Sequence, residues 1–225
     1  MKVVRFASRE QLTDALAEQL APSPAPRGRA GVGAVMLSGG HAPRPVYDLL
    51  AIQTFPHSAN LRVLYSDERY VPAISDASNY HASRPYLKAL ALPEEHILRV
   101  RTELPLEEAA TDYESRLQSL LNTNVPIHLG LLGMGADGHT ASLFTPADLE
   151  RARGHLAISV QRPDGMQAVS VTPELLRHVE RLLMVVVGAE KRDALAALLR
   201  RDPELIAWRV LKGCRNIEVW CENQA

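Results

Sequence analysis

Short runs that are apolar at nearly every position alternate along this chain with stretches in which apolar residues recur every three or four positions. The clearest run is Leu182-Leu183-Met184-Val185-Val186-Val187. A strand with one wet face would alternate apolar and polar residues; a strand apolar throughout is buried on both faces, as in a parallel sheet covered by helices. Val3–Phe6, Ala34–Leu37, Leu61–Tyr65, Ile127–Leu132, Leu156–Val160, Ala168–Val171 and Ile217–Trp220 read as further strands. Helical patterns lie between them. Leu12, Leu16 and Leu20 share one helix face, and Ser8 followed by Gln11 is a capping-box pattern at its start. Pro43 and Pro45 start a helix through Val46–Leu50. Others cover Asn79–Leu90, where Pro85 should shorten or kink the helix, and Leu106–Leu121 and Glu190–Leu199. Pro22–Gly28 is a proline-rich loop. The alternation predicts an α/β fold, a doubly wound, mostly parallel open sheet flanked by helices, Rossmann-like, with residues 1–225 as a single domain.

Composition narrows the class without naming a function. A chain of 225 residues buries roughly 70–75% of the surface its unfolded form exposes, so neither a disulfide nor a metal is needed to hold a core. The net charge of -1 excludes the strong basic excess usual for nucleic-acid binders. Cys214 and Cys221 do not form a Cys-x-x-Cys pair, and a strand through both would place them on opposite faces. No disulfide framework is expected, which suits a reducing compartment. The first ten residues lack the apolar core of a signal peptide, and no stretch approaches the ~20 apolar residues of a membrane span. The expectation is a cytoplasmic protein with neither membrane nor nucleic acid as partner.

Ligands of open α/β sheets bind beyond the carboxyl ends of the strands. Ser38–Pro43, Asp67–Pro72 and Gly133–Ser142 all follow such ends and should enclose one pocket. In the first, glycines let backbone N–H groups approach an anion, and the following helix adds its dipole; the guest would be a phosphate, the alternative a plain strand–helix turn. In the second, Arg69 suits bidentate binding of phosphate or carboxylate, and Asp67 beside Glu68 suits acid–base work; the alternative is a solvated charged turn. In the third, Gly133, Gly135 and Gly138 formally match a dinucleotide fingerprint, but the next strand ends Ser159-Val160-Gln161 without the acid that fingerprint requires. Asp137 and His139 within this loop point instead to a catalytic base beside a backbone nest. There is no Gly-x-Ser-x-Gly elbow and no His-Glu-x-x-His, so water activated by a histidine is the simplest remaining hydrolytic scheme.

Together these segments resemble the 6-phosphogluconolactonase family, within the wider group that includes glucosamine-6-phosphate isomerases. Leu37-Ser38-Gly39-Gly40 resembles the family's phosphate loop. Ser66-Asp67-Glu68-Arg69-Tyr70-Val71-Pro72, with Ser78-Asn79-Tyr80, resembles its second motif. Leu132–Phe144 resembles its third, the most specific. The likeness runs in order from Ala34 to about Trp220. The isomerases follow Asp-Gly-His with Ile-Ala-Phe-Asn-Glu; here Thr140-Ala141-Ser142-Leu143-Phe144 has the lactonase form and lacks that Glu.

The resemblance implies the lactonase type of this fold. It implies hydrolysis of 6-phospho-D-glucono-1,5-lactone to 6-phospho-D-gluconate, the second step of the oxidative pentose phosphate route, with no cofactor and no metal. The readings that compete are a phosphosugar isomerase or deaminase and a non-catalytic sugar-phosphate-binding protein. His139 would be the general base, Asp137 its orienting partner and Arg69 a charge stabiliser. Ser38, Gly39, Gly40, His41, Asp67, Gly133, Gly135 and Lys191 would bind substrate and phosphate. The family also implies a monomer or homodimer. Two departures stand out. The phosphate loop continues His41-Ala42-Pro43 instead of Ser-Thr-Pro, and Gln167-Ala168 stand where relatives carry Pro-Arg before a strand, so one expected anion contact is absent.

Overall fold

The computed structural model describes residues 1–22, 33–55 and 60–223; the proline-rich stretch from Ser23 onward lies outside the described residues. In chain order the elements are β1 (Lys2–Phe6), α1 (Arg9–Leu20), β2 (Gly33–Leu37), α2 (Pro43–Ala51), β3 (Leu61–Tyr65), β4 (Asp67–Arg69) and α3 (Asn79–Ala89). There follow β5 (Ile97–Leu98), α4 (Leu106–Asn122), β6 (Ile127–Gly133), α5 (Pro146–Arg151), β7 (Ala157–Gln161) and β8 (Gln167–Val171). The chain ends with α6 (Pro173–Leu176), β9 (Leu182–Val186), α7 (Arg192–Leu199), α8 (Ile206–Leu211) and β10 (Ile217–Glu222).

A 7-stranded sheet in the order β1-β10-β9-β6-β2-β3-β5 runs through the centre. Every pairing in it is parallel. The fully apolar runs now have their reason. Leu182, Met184 and Val186 face one core while Leu183 and Val185 face the other. α1, α2 and α3 cover the second side through Leu12, Leu16, Tyr47, Leu50 and Tyr86. α4, α7 and α8 cover the first through Tyr113, Leu117, Leu198 and Val210. Each such side chain taken from water contributes about 1.5–3 kcal/mol, so alternation with polar residues would cost the sheet one of its covers.

Local signals placed most helices. Ser8 caps α1 by accepting from the Gln11 N–H at 3.2 Å. Pro85, expected to shorten or kink α3, leaves it continuous from Asn79 to Ala89. Buried Tyr86 and Leu87 on the turn beside it hold the helix to the core, and the Tyr86 hydroxyl donates to the Leu20 carbonyl at 2.6 Å. The helix expected over Glu190–Leu199 begins as a 3-10 turn, Ala189–Lys191, before α7. Cys214 precedes β10 and so does not share a strand with Cys221; both thiols are free.

The strands expected at Leu156–Val160 and Ala168–Val171 exist but do not join the large sheet. β7 and β8 form an antiparallel hairpin, and β4 adds to β8 antiparallel, making a separate 3-stranded sheet in the order β4-β8-β7. The reason is the connection. Arg162–Met166 is far shorter than the dozen or more residues a parallel crossover needs. Ile158, Val160, Val169 and Val171 pack this small sheet onto the α4 side of the core. Its placement carries Asp67–Arg69 and the hairpin turn to the carboxyl end of the large sheet.

Candidate active site

The chain leaves β2 toward β3 and β5, then returns on the other side of β2 at β6 and β9. Loops after β2 and β6 therefore diverge, and a crevice opens between them at the switch point. A cleft of about 230 Å³ lies there. Ser38, Gly39, Gly40, His41, Asp67, Arg69, Gly133, Gly135, His139 and Lys191 all line it. The three loops expected to enclose one pocket do so. A wider groove on the outside of α3, lined by Tyr80, His81, Arg84 and Lys88, contains none of these groups.

The loop after β6 is wound tightly enough to fix its histidine. The Gly135 N–H donates to the His139 carbonyl at 3.0 Å, and the Thr140 hydroxyl donates to the Gly133 carbonyl at 2.7 Å. The Asp137 carboxylate lies 2.5 Å from His139 Nδ1 and also accepts the His139 backbone N–H at 3.2 Å. Burial works to raise the Asp137 carboxyl, but the hydrogen bonds from His139 outweigh it and hold the group below its ordinary range. An ionised carboxylate on Nδ1 selects the tautomer with the proton there, which leaves Nε2 with its lone pair. The His139 ring lies 4.2 Å from the Phe144 ring, centroid to centroid, so an apolar face stands where the isomerase string carries Glu.

The loop after β2 leads into α2, whose start has proline but no side-chain cap. The Tyr47 hydroxyl of α2 donates to the Ser38 carbonyl at 2.7 Å and fixes the loop from below. Gly39 is packed against the α3 start: a Cβ there would meet the Asn79 side chain at 1.8 Å. Arrival of the second loop is equally determined. Tyr113 of α4 bonds both backbone groups of Tyr65, at 2.9 and 2.6 Å, and so pins the end of β3.

The reading of Asp67 and Glu68 as a solvated charged turn is corrected, for both are buried, 5% and 2% exposed. Protein donors occupy oxygens of both carboxylates. Asp67 accepts the Ser66 and Ser142 hydroxyls, each at 2.8 Å. Glu68 accepts the N–H groups of Arg69, Asn79 and Tyr80 and the Ser78 hydroxyl, which ties β4 to the start of α3. Burial pushes the Glu68 carboxyl up to about 7 against those donors. Arg69 lines the cleft, its Nη1 donating to the Ala77 carbonyl at 2.8 Å. Lys191, after β9, has its ammonium pushed below its ordinary range by burial.

Arg162 also lines the cleft, and sequence reasoning missed it. It sits at the turn between β7 and β8. The Arg162-Pro163-Asp164-Gly165 turn signature was available in the sequence, but its direction was not. Ala168, at the position where relatives carry the arginine, is buried and does not line the cleft. Among the described residues no group of three or more His, Cys, Asp and Glu side chains gathers as a metal site would. No helix among them is long and apolar enough to cross a membrane.

Comparison with known proteins agrees with this geometry. Residues 7–218 match the profile described as glucosamine-6-phosphate isomerases/6-phosphogluconolactonase. A 6-phosphogluconolactonase of Thermotoga maritima is 36% identical over 173 residues, 75% of this chain and 76% of that one. One from Synechocystis is 33% identical over 205 residues, 86% of this chain and 83% of that one. The crystal structure of the Thermotoga maritima 6-phosphogluconolactonase superposes with a TM-score of 0.77 at 27% identity, over 98% of this chain and 97% of that one.

Proposed function

The chain belongs to the glucosamine-6-phosphate isomerase/6-phosphogluconolactonase family, and from that membership we propose that it hydrolyses 6-phospho-D-glucono-1,5-lactone to 6-phospho-D-gluconate. The observation that carries the proposal is the His139–Asp137 pair at 2.5 Å, set in a cleft with Arg69 and Lys191 and backed by the ring of Phe144. A proton-shuttling isomerase needs further acid–base groups at the sugar carbons. Here Phe144 fills that side of the histidine, and the only chemistry asked of the site is one water and one proton carrier.

In this scheme His139 Nε2 removes a proton from water as the water oxygen bonds to the lactone carbonyl carbon. Arg69 and Lys191 stabilise the negative charge that develops on the carbonyl oxygen. The ring C–O bond then breaks. The imidazolium, steadied by the Asp137 carboxylate, returns its proton to the departing ring oxygen, and the product acid ionises in solution. One imidazole that takes a proton and then returns it serves both steps, contributing about 10²–10⁴-fold. Ser38, Gly39, Gly40 and His41, at the start of α2, receive the phosphate.

The test is hydrolysis of freshly generated 6-phosphogluconolactone with the spontaneous rate subtracted, wild type beside His139→Ala. Rapid hydrolysis that falls at least ~100-fold in a normally folded variant is the expected result. A folded wild type that adds nothing to the spontaneous rate would overturn the reaction, and an unimpaired His139→Ala would remove this base.

A further inference from the structure

Arg162 reaches the cleft from the hairpin turn between β7 and β8 of the small antiparallel sheet. The turn is closed by Arg162 N–H to the Met166 carbonyl at 2.8 Å and Gly165 N–H to the Arg162 carbonyl at 3.1 Å. We propose that Arg162 recognises the substrate's phosphate together with the Ser38–Gly40 loop that lines the same cleft. This rests on reading the cleft as a sugar-phosphate site.

Three features of its setting carry the inference. The side chain is held inward, 11% exposed, although its own turn is at the surface. It is fixed in that position from several directions. Nη1 donates to the Ser142 hydroxyl at 3.1 Å, that hydroxyl is anchored on Asp67 at 2.8 Å, and the guanidinium carbon stands 5.1 Å from the centre of the Phe144 ring. Finally, donors remain unspent. Nε and Nη2 bond the Asp164 carboxylate, at 3.1 and 2.8 Å, and Nη1 bonds Ser142. A guanidinium has five N–H groups, so one hydrogen is left on each terminal nitrogen to donate to a phosphate.

Arg69 lines the same cleft. Hydrogen bonds from Arg162 and then from the Met166 N–H hold the Asp164 carboxyl below its ordinary range, with the charge of Arg69 the smallest contribution. An arginine needed only to close the hairpin would be satisfied by Asp164 in solvent. Holding it against Ser142 and Phe144 pre-organises it for a guest and lowers the ordering cost of binding.

The experiment compares wild type, Arg162→Gln and Arg162→Lys on 6-phosphogluconolactone and on unphosphorylated glucono-1,5-lactone, with calorimetric Kd values for 6-phosphogluconate. Arg162→Gln should raise KM and Kd about 10-fold or more, as expected for loss of a charge-assisted contact, with kcat within about threefold. Hydrolysis of the unphosphorylated lactone should not change. Arg162→Lys, which keeps the charge but not the guanidinium, should fall between. An unchanged Kd in either folded variant overturns the proposal, as does an equal loss of kcat on both lactones. Unfolding temperatures identify a misfolded glutamine variant, in which case the lysine variant decides. If wild type binds 6-phosphogluconate through Arg162 yet hydrolyses neither lactone, the reaction falls and the phosphate contact stands; a wild type that binds no 6-phosphogluconate sinks both.

Discussion

A Cβ added to Gly135 would stand 2.2 Å from Nδ1 of His139 and 2.3 Å from the Asp137 carboxylate. The glycine is thus the floor on which the histidine–carboxylate pair lies. No side chain fits between the loop backbone and that pair, so the residue is fixed by the pair's position and not by the turn alone.

Gly135→Ala should therefore act on chemistry before it acts on folding. The methyl group must displace His139 or Asp137. A displacement of about 1 Å at a reacting group can cost ~10²-fold. We expect kcat for the lactone to fall by roughly that factor, while the unfolding temperature changes little because the loop is at the rim of the core. A variant with wild-type kcat would show that the pair can shift freely and that its observed geometry is not required.

Asp137→Asn tests the tautomer. The amide keeps the shape but loses the charge that steadies an imidazolium on Nδ1, and its NH₂ can turn toward the ring instead of accepting from it. Because Asp137 is 56% exposed, water softens the effect, and a loss of about 10–100-fold in kcat with KM little changed is expected. Steady-state kinetics with the phosphorylated lactone decide it. A change confined to KM would make Asp137 a binding group.

Ser142→Ala probes the buried hydroxyl shared by Asp67 and Arg162. Ser142 is fully buried, and removing its hydroxyl leaves one Asp67 oxygen without its donor. Stranding a buried acceptor costs about 1–3 kcal/mol. In a protein of this size, a melting temperature lowered by ~2–10 °C follows, read by thermal unfolding at neutral pH. No change in melting temperature would mean that the hydroxyl is replaced by water.

Glu68 sets a pH dependence of stability. Its carboxyl titrates at about 7 in the folded chain against an ordinary 4.5. Between those values the folded form holds the proton more tightly, so this group's contribution to stability is fully present below about 4.5 and is lost as pH rises through 7. Glu68→Gln removes the titration. The melting temperature of wild type should fall relative to the glutamine variant between pH 5 and 7.5, by ~3 °C or more. Parallel curves over that range would show that the donors from Arg69, Ser78, Asn79 and Tyr80 keep Glu68 ionised throughout.

Much of this was legible in the chain. The runs at Ala34–Leu37, Ile127–Leu132 and Leu182–Val187 announced a sheet buried on both faces because each residue of such a strand must be apolar whichever way it points. The loop after Ile127–Leu132 announced Asp137 and His139 because their partnership is local, two residues apart. At Pro85 a proline's local cost is known from sequence, while the burial of Tyr86 and Leu87 in a helix continuous through it is not. The hairpin of β7 and β8 was within reach, since its connection is too short for a parallel crossover.

By itself, the sequence determined what depends on neighbours along the chain: strand and helix periods, the glycine loops at strand ends, and the histidine with its carboxylate. Only the tertiary structure decided which charges serve the cleft and which serve the frame. Asp67 meets its partner hydroxyl 75 residues away in Ser142, and Arg162 reaches the same hydroxyl from a turn 20 residues beyond it. A buried charge takes its role from the donors that happen to surround it once the sheet is formed. Asp67 and Glu68 became anchors because folding surrounded them with hydroxyl and N–H groups, and Arg162 became a cleft residue because a short hairpin brings its turn to Ser142 and Phe144.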